Sequence, residues 1–260
     1  MNRENNRSMV KLKRVPAVDK CFTILEDLAG SESPLGISEI STRLGLNKST
    51  VFNLLYTLVD LGILEMTPEN KVRLGIKLYT LGRKAVAGGN LISKVRPFLE
   101  EINQLTRLSV FLGLRAGMKA VIIDKVDSPD EVKVSSALGM KIPVTAGAGG
   151  KVLLSQLSDT QVGEILSKGP LPKFTPSTCT NPKRFLQIIQ KARQEGIALD
   201  DEEYMVGIRA LAIPLVIGRP DLQAAVWLVG LKSQMGDEKI PKLKEHLKKI
   251  GAKIDAQFAL

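Results

Sequence analysis

Six residues within one nine-residue stretch carry most of the chemistry in this chain: Lys48, Ser49, Thr50, Phe52, Asn53 and Tyr56. They bring together an ammonium, two small hydroxyls, a carboxamide and two aromatic rings. Val51, Leu54, Leu55 and Leu58 recur between them at helical spacing, which predicts a buried stripe and turns Lys48, Ser49, Phe52, Asn53 and Tyr56 outward. A carboxamide on such a face can pair with adenine through two hydrogen bonds, while hydroxyls and ammonium groups meet phosphates. Shortly after, Lys71 and Arg73 alternate with Val72 and Leu74, so one side of that run is cationic. Together these groups suit a DNA major groove and its flanking phosphates. A small helical domain with a solvated charged face is the plainer reading.

The elements that must position these groups are readable on both sides. Ser38 reads as the cap of a short helix with Ile40 and Leu44 on its apolar side, and Gly45 supplies the positive φ of a sharp turn. Asn47 stands where an N-cap belongs, and Gly62 ends the second helix. Ile63–Met66 and Lys71–Leu74 then read as a hairpin turning at Thr67–Asn70. Helix, turn, helix and hairpin over residues 15–75 make a winged helix-turn-helix. Before it, Pro16 opens a helix with the stripe Val18, Cys21, Phe22, Leu25, Leu28 and Ala29, which places Cys21 in a core. Residues 1–14 read as a disordered basic arm whose Lys11, Lys13 and Arg14 can neutralise phosphates.

Past the hairpin, residues 76–89 read as a linker helix through Leu78, Leu81 and Ala85, broken by Gly88-Gly89-Asn90. An apolar stripe on a connector marks a dimer contact. Residues 90–260 read as a second domain. It opens with a helix over 91–106 on Leu91, Val95, Phe98, Ile102 and Leu105, followed by strands at 108–114, 120–126, 131–136, 210–216 and 222–231. Further helices follow at 182–195 and at the C-terminus, where Leu243, Leu247, Ile250, Ile254 and Phe258 repeat. The expected class is α+β.

The second chemically informative stretch is Ile142–Lys151, a Gly-rich loop expected to open onto a helix at Lys151–Leu157. Backbone N–H groups at such a helix start attract anions. The loop lacks the first glycine of a phosphate-binding Walker loop, and Val152 stands where a magnesium-binding hydroxyl belongs. A dinucleotide fingerprint fails as well. A cradle for a carboxylate and plain tight packing of glycines both remain open. The four acids from Asp200 to Glu203 read as a solvated turn, and Trp227 lies inside an apolar strand.

Composition narrows the function. The net charge of +10 favours a polyanionic partner. Residues 1–96 carry 15 Lys+Arg against 9 Asp+Glu, while the other 164 carry 22 against 18, so positive charge is concentrated N-terminally. No apolar run has membrane-spanning length and the start lacks a signal peptide's apolar core, so a cytoplasmic location is expected, with no membrane partner. Cys21 and Cys179, the only cysteines, rule out a disulfide framework and a cysteine-rich zinc site. His246, the lone histidine, falls on a lysine-rich helix, and Cys179 has no histidine base beside it. No enzyme, cofactor or metal site is expected, and an enzyme acting on a small carboxylate is the weaker rival.

Over Val15–Leu231 the order of elements resembles the IclR family of bacterial transcription regulators. The likeness is carried by AVDKCFTILEDLA, PLGISEISTRLGLNKSTVFNLLYTLVDLGILE, RLGIKLYTLG, TAGAGGK and GIALDDEEYMVGIRALAIP. It implies a winged helix, a linker helix used in dimerisation, and a C-terminal GAF-like antiparallel-sheet effector domain. It further implies a homodimer or homotetramer that binds double-stranded operator DNA under the control of a small organic acid. By position, the effector pocket would draw on Val144, Ala146, Gly147, Ala148, Gly149 and Gly150 from the loop and Asp200 from the acidic run. Ile208, Ala210, Trp227 and Val229 would complete it from the last strands. Some members carry small hydroxyl residues at the Trp227 and Val229 positions. Either the effector differs here, or the pocket is partly filled and the protein binds DNA without a ligand.

Overall fold

The computed structural model describes residues 14–85, 91–219 and 221–259. Contacts divide the chain into two compact units, Met1–Val86 and Ala87–Leu260. Lys11 and Lys13 of the expected arm, and residues 86–89 of the expected linker helix, lie outside the described residues.

The first unit runs α1 (Pro16–Ala29), α2 (Ile37–Leu44), α3 (Lys48–Asp60), β1 (Leu64–Met66), β2 (Val72–Leu74) and α4 (Ile76–Ala85). Ile24, Leu28, Ile40, Val51, Leu55, Leu58, Leu64 and Val72 form its core, drawn from one side of each element. Gly45 closes α2 at φ 62°, where a side chain is disfavoured. Ser38 does not cap α2. The cap is Gly36, two residues earlier, and the Glu39 carboxylate accepts the Gly36 N–H at 2.6 Å. The strands pair antiparallel, Leu64 against Leu74, and Leu35 adds backbone hydrogen bonds to Val72 that fasten the hairpin to the start of α2.

Helix α1 is rotated from its expected phase. Ile24 and Leu28 are buried, Cys21 and Leu25 flank them, and Val18 and Phe22 stand 51% and 63% exposed. At 100° per residue Phe22 lies almost opposite Ile24, so one stripe cannot bury both. On α4, Leu78 is half-buried while Ile76, Tyr79 and Leu81 are exposed.

The second unit runs α5 (Leu91–Thr106), β3 (Ser109–Ala116), β4 (Lys119–Val126), β5 (Lys141–Pro143), α6 (Gly147–Ser155), α7 (Asp159–Leu166), α8 (Pro182–Glu195), β6 (Ala198–Asp201), β7 (Ile208–Leu215), β8 (Ala224–Leu231) and α9 (Ile240–Ala256). One antiparallel sheet, ordered β5-β4-β3-β8-β7-β6, organises it. Phe111, Trp227 and Ala212 stand side by side across β3, β8 and β7 and share a face with Val229 and Ala210, against which α6 packs Ala148 and Val152. The alternate residues point to the opposite face, where Ile213 meets Gly251 of α9. In α5 the buried residues are Leu91, Val95, Leu99 and Ile102, with Leu105 exposed where the sequence placed it inside.

Two expectations fail here. Residues 131–136 form no strand. Residues 139–143 take the outer edge of β4 through the Gly139, Met140 and β5 backbone. The 131–136 segment is held instead by side chains, Ser135 between Lys125 and Asp127. The second concerns α6, which begins at Gly147 rather than Lys151, so the glycines expected in a loop form its first turn.

Candidate functional site

The outward face of α3 is built as its residue types require. Phe52 and Tyr56 are each 46% exposed, one turn apart, with ring centroids 4.3 Å from each other. Lys48, Ser49 and Asn53 are exposed beside them, Thr50 is half-buried, and Ser38 is exposed on α2. Asn47 sits at the N-cap position, yet its side chain makes no capping hydrogen bond. The hairpin is less cationic in effect than its sequence. Arg73 is held by Glu65 at 3.0 Å, and Lys71 lies 3.4 Å from Glu39. Arg14 is paired with Asp19 at 2.7 Å. These are exposed pairs of small net worth, free to exchange a carboxylate for a phosphate.

In the second unit a cavity of 420 Å³ opens between α6 and the sheet. Phe111, Ile142, Ile208, Ala210, Trp227 and Val229 make its apolar walls, and the 133–136 segment with Tyr204 and Met205 lies at its margin. At one end stand Ala146 and the first turn of α6, Gly147 to Gly150. The N–H groups of Gly147, Ala148 and Gly149 have no acceptor within a helix, because they precede its first turn of hydrogen bonds. Gly147 adopts φ 68°, which lets the chain enter the helix beside the Asp200 carboxylate.

The glycines also settle how tryptophan fits. A Cβ on Gly113 would overlap the Trp227 ring edge, and one on Gly149 would press its face at 3.1 Å. A Cβ on Gly150 would strike the Val144 carbonyl. Trp227 is therefore sunk between β3 and α6 and forms a wall, leaving the cavity open. The packing reading of the Gly-rich stretch is the one these contacts bear on. Gly149 and Gly150 permit close packing on one side, and the same first turn of α6 borders the cavity.

The acidic run is not a solvated turn. Asp200 is 4% exposed and accepts the Glu203 N–H at 2.7 Å. Burial pushes its carboxyl up to about 6, against the pull of the Glu203 N–H and of Lys151. Buried Lys151 donates to Glu203 at 2.5 Å and to the Leu199 carbonyl at 2.7 Å. Asp201 binds Arg209 at 2.6 Å, and Glu202 pairs with Lys232. Three of the four acids are thus paired with cations from β7, α6 and the end of β8, and Asp200 is buried.

Two family models cover this architecture: the IclR helix-turn-helix domain over residues 17–68 and the bacterial transcriptional regulator IclR C-terminal domain over residues 83–256. The chain belongs to the IclR family of bacterial transcriptional regulators. It is 31% identical to the HTH-type transcriptional regulator XynR of Escherichia coli K12, over 91% of this chain and 94% of XynR. The crystal structure of Thermotoga maritima IclR superposes with a TM-score of 0.74 at 26% identity, covering 94% of this chain and 99% of that one. An IclR homolog from Microbacterium hydrocarbonoxydans, solved in complex with 4-hydroxybenzoate, gives 0.79 at 21% identity over 93% and 98% of the two chains. The IclR relatives are transcriptional regulators and repressors, and the chain is a DNA-binding regulator rather than an enzyme.

Of the effector residues expected from the IclR resemblance, the cavity gathers Ala146 to Gly150, Asp200, Ile208, Ala210, Trp227 and Val229. Val144 is the exception. It is fully buried and lies behind Gly150, so it supports the IclR cavity without lining it. Phe111, Met140, Ile142 and Tyr204 line it and were not anticipated. Gly113 was also missed, though a glycine within an apolar strand is itself a sign of close approach by another group. Lys133, Ser135 and Ser136 carry no pattern that sequence reading could have used. Among the described residues no cluster of histidine, cysteine or acids can hold a metal ion, and no helix is long and apolar enough to cross a membrane.

Proposed function

We propose that this IclR-family regulator reads operator DNA through the outer face of α3, and that a small monocarboxylate in the 420 Å³ cavity sets its affinity. The observation that carries the effector half is the pairing of an apolar chamber with the free N–H groups of the α6 first turn. An apolar body leaves no unpaired polar groups against Phe111, Ile208 and Val229, and a carboxylate finds donors and the positive dipole end at Gly147 to Gly149. Polyhydroxylated acids fit less well, because Lys133, Ser135, Ser136 and Tyr204 lie at the margin and the sheet wall is apolar. Asp200 stands at the same end, and as an anion it opposes the ligand. Carboxylate affinity therefore rises as the pH falls toward about 6, where Asp200 takes up a proton. On this reading the protein acts as an oligomer, with α4 at the contact between copies.

The test is a thermal-shift series on the full chain with benzoate, 4-hydroxybenzoate and gluconate, followed by DNA-binding anisotropy with any acid that stabilises. An aromatic monocarboxylate is expected to raise the melting midpoint and shift DNA affinity. Ile208→Trp, which fills the chamber, is expected to abolish the shift and leave DNA binding intact. Stabilisation by none of the acids, or undiminished stabilisation of Ile208→Trp, argues against the cavity as the effector site.

A further inference from the structure

We infer that Phe52 is a specificity-determining residue that selects thymine by packing its ring against the C5-methyl group in the major groove. The inference rests on the proposed reading of α3 as the helix that enters the groove. Two large aromatic side chains stand nearly half exposed on one face of a well-buried helix, Phe52 and Tyr56. Their rings lie 4.3 Å apart at a 35° tilt, so each restrains the other and little rotamer freedom is left to lose on contact. Phe52 is the fifth residue of α3, in the N-terminal half, which meets base edges when a helix-turn-helix docks. Thymine alone among the bases shows a methyl group in that groove. A phenyl ring set against guanine, cytosine or adenine would instead cover donors and acceptors without pairing them. Tyr56, a turn further along, buttresses the ring and keeps its hydroxyl for a phosphate.

A second copy of the chain is the competing occupant of this face. The surroundings favour DNA: Lys48, Ser49 and Asn53 border the rings in the open, and the first turn of α3 holds no acid. A polyanion with polar base edges complements that border, and an apolar protein patch does not.

The experiment enriches duplexes from a randomised pool with the full-length protein, then resynthesises the preferred one with deoxyuridine replacing each thymine in turn. Removing a methyl that Phe52 touches is expected to weaken binding about fivefold at one thymine in each half-site. Phe52→Ala is expected to be indifferent to the same replacement, and Phe52→Leu, which keeps an apolar tip, to retain part of the sensitivity. Circular dichroism and sedimentation confirm that each variant is folded and assembled. Identical uracil profiles for wild type and Phe52→Ala overturn the inference while leaving DNA binding by α3 in place. Loss of self-association in Phe52→Ala assigns the pair to a contact between copies and overturns it too. Enrichment of no duplex at all removes the reading of α3 beneath it.

Discussion

Among the described glycines, Gly113 has one of the tightest surroundings, set by Trp227. Gly113 has no room for a methyl group, because the indole edge occupies that space. Gly113→Ala is expected to destabilise the protein by about 1–3 kcal/mol through overpacking. Urea denaturation measures the loss, and pairing the change with Trp227→Phe should recover part of it. Asp200 offers a second measurement. Its carboxyl sits at about 6 in the folded chain against an ordinary value of 3.8, so the native state binds the proton more tightly than the unfolded chain. The resulting stabilisation is complete below about 3.8 and lost as the pH rises through about 6. Between pH 7.5 and 5.5 the wild-type midpoint should rise on acidification relative to Asp200→Asn. The asparagine can still accept the Glu203 N–H, so the comparison isolates the titration. Equal pH profiles would show that Asp200 is not the group responsible.

At the scale of the element, the hairpin departs most usefully from its sequence. Lys71 and Arg73 announced a cationic wing, and the structure gives each an acidic neighbour, Glu39 and Glu65. Glu65→Gln is therefore expected to strengthen binding to all duplexes two- to fivefold and to steepen the salt dependence by about 0.9 in slope, one further phosphate contact. Arg73→Ala should weaken all duplexes alike, whereas Asn53→Ala should relax sequence preference without changing the salt slope. Anisotropy titrations across a salt series separate the three.

Which features were readable follows the same division. Helix α3 was legible because its stripe, the Asn47 start and the Gly62 stop agree on one phase. Helix α1 was not, because apolar residues occupy too much of its circumference for composition to choose between Ile24 and Phe22. The glycines of α6 read as a loop, since glycine disfavours helix on its own and only packing against Trp227 and Val144 reveals the need. The acids from Asp200 to Glu203 read as solvated because the partners Lys151, Arg209 and Lys232 are brought to them by the sheet and α6, and adjacency in the chain does not show that. About half of the cavity wall came from the family likeness; the rest, Phe111 and Ile142 among it, needed the register of β3, β4 and β5.

On the proposed reading the regulator couples its two separately packed units, and the exposed apolar residues of α4 are the proposed contact between copies. Ile76 and Tyr79 are 69% and 61% exposed. A charge there, in Ile76→Asp or Tyr79→Asp, is expected to shift sedimentation toward the monomer. Affinity for a two-half-site duplex should fall about a hundredfold, and affinity for a single half-site should hardly change. Equal losses on both duplexes would place the defect in α3 instead. A ligand can act through such an assembly only by binding one spacing of the half-site readers better than another, so its effect on DNA and the effect of DNA on it must be equal in free energy.

Trp227 lies on the chamber wall and is the sole tryptophan of the chain. Its emission is consequently an unlabelled optical gauge of occupancy, uncontaminated by any other indole. A guest entering beside it should quench or shift that fluorescence in the intact regulator, on DNA or off it, so ligand affinity in both states can be titrated with nothing attached to the protein.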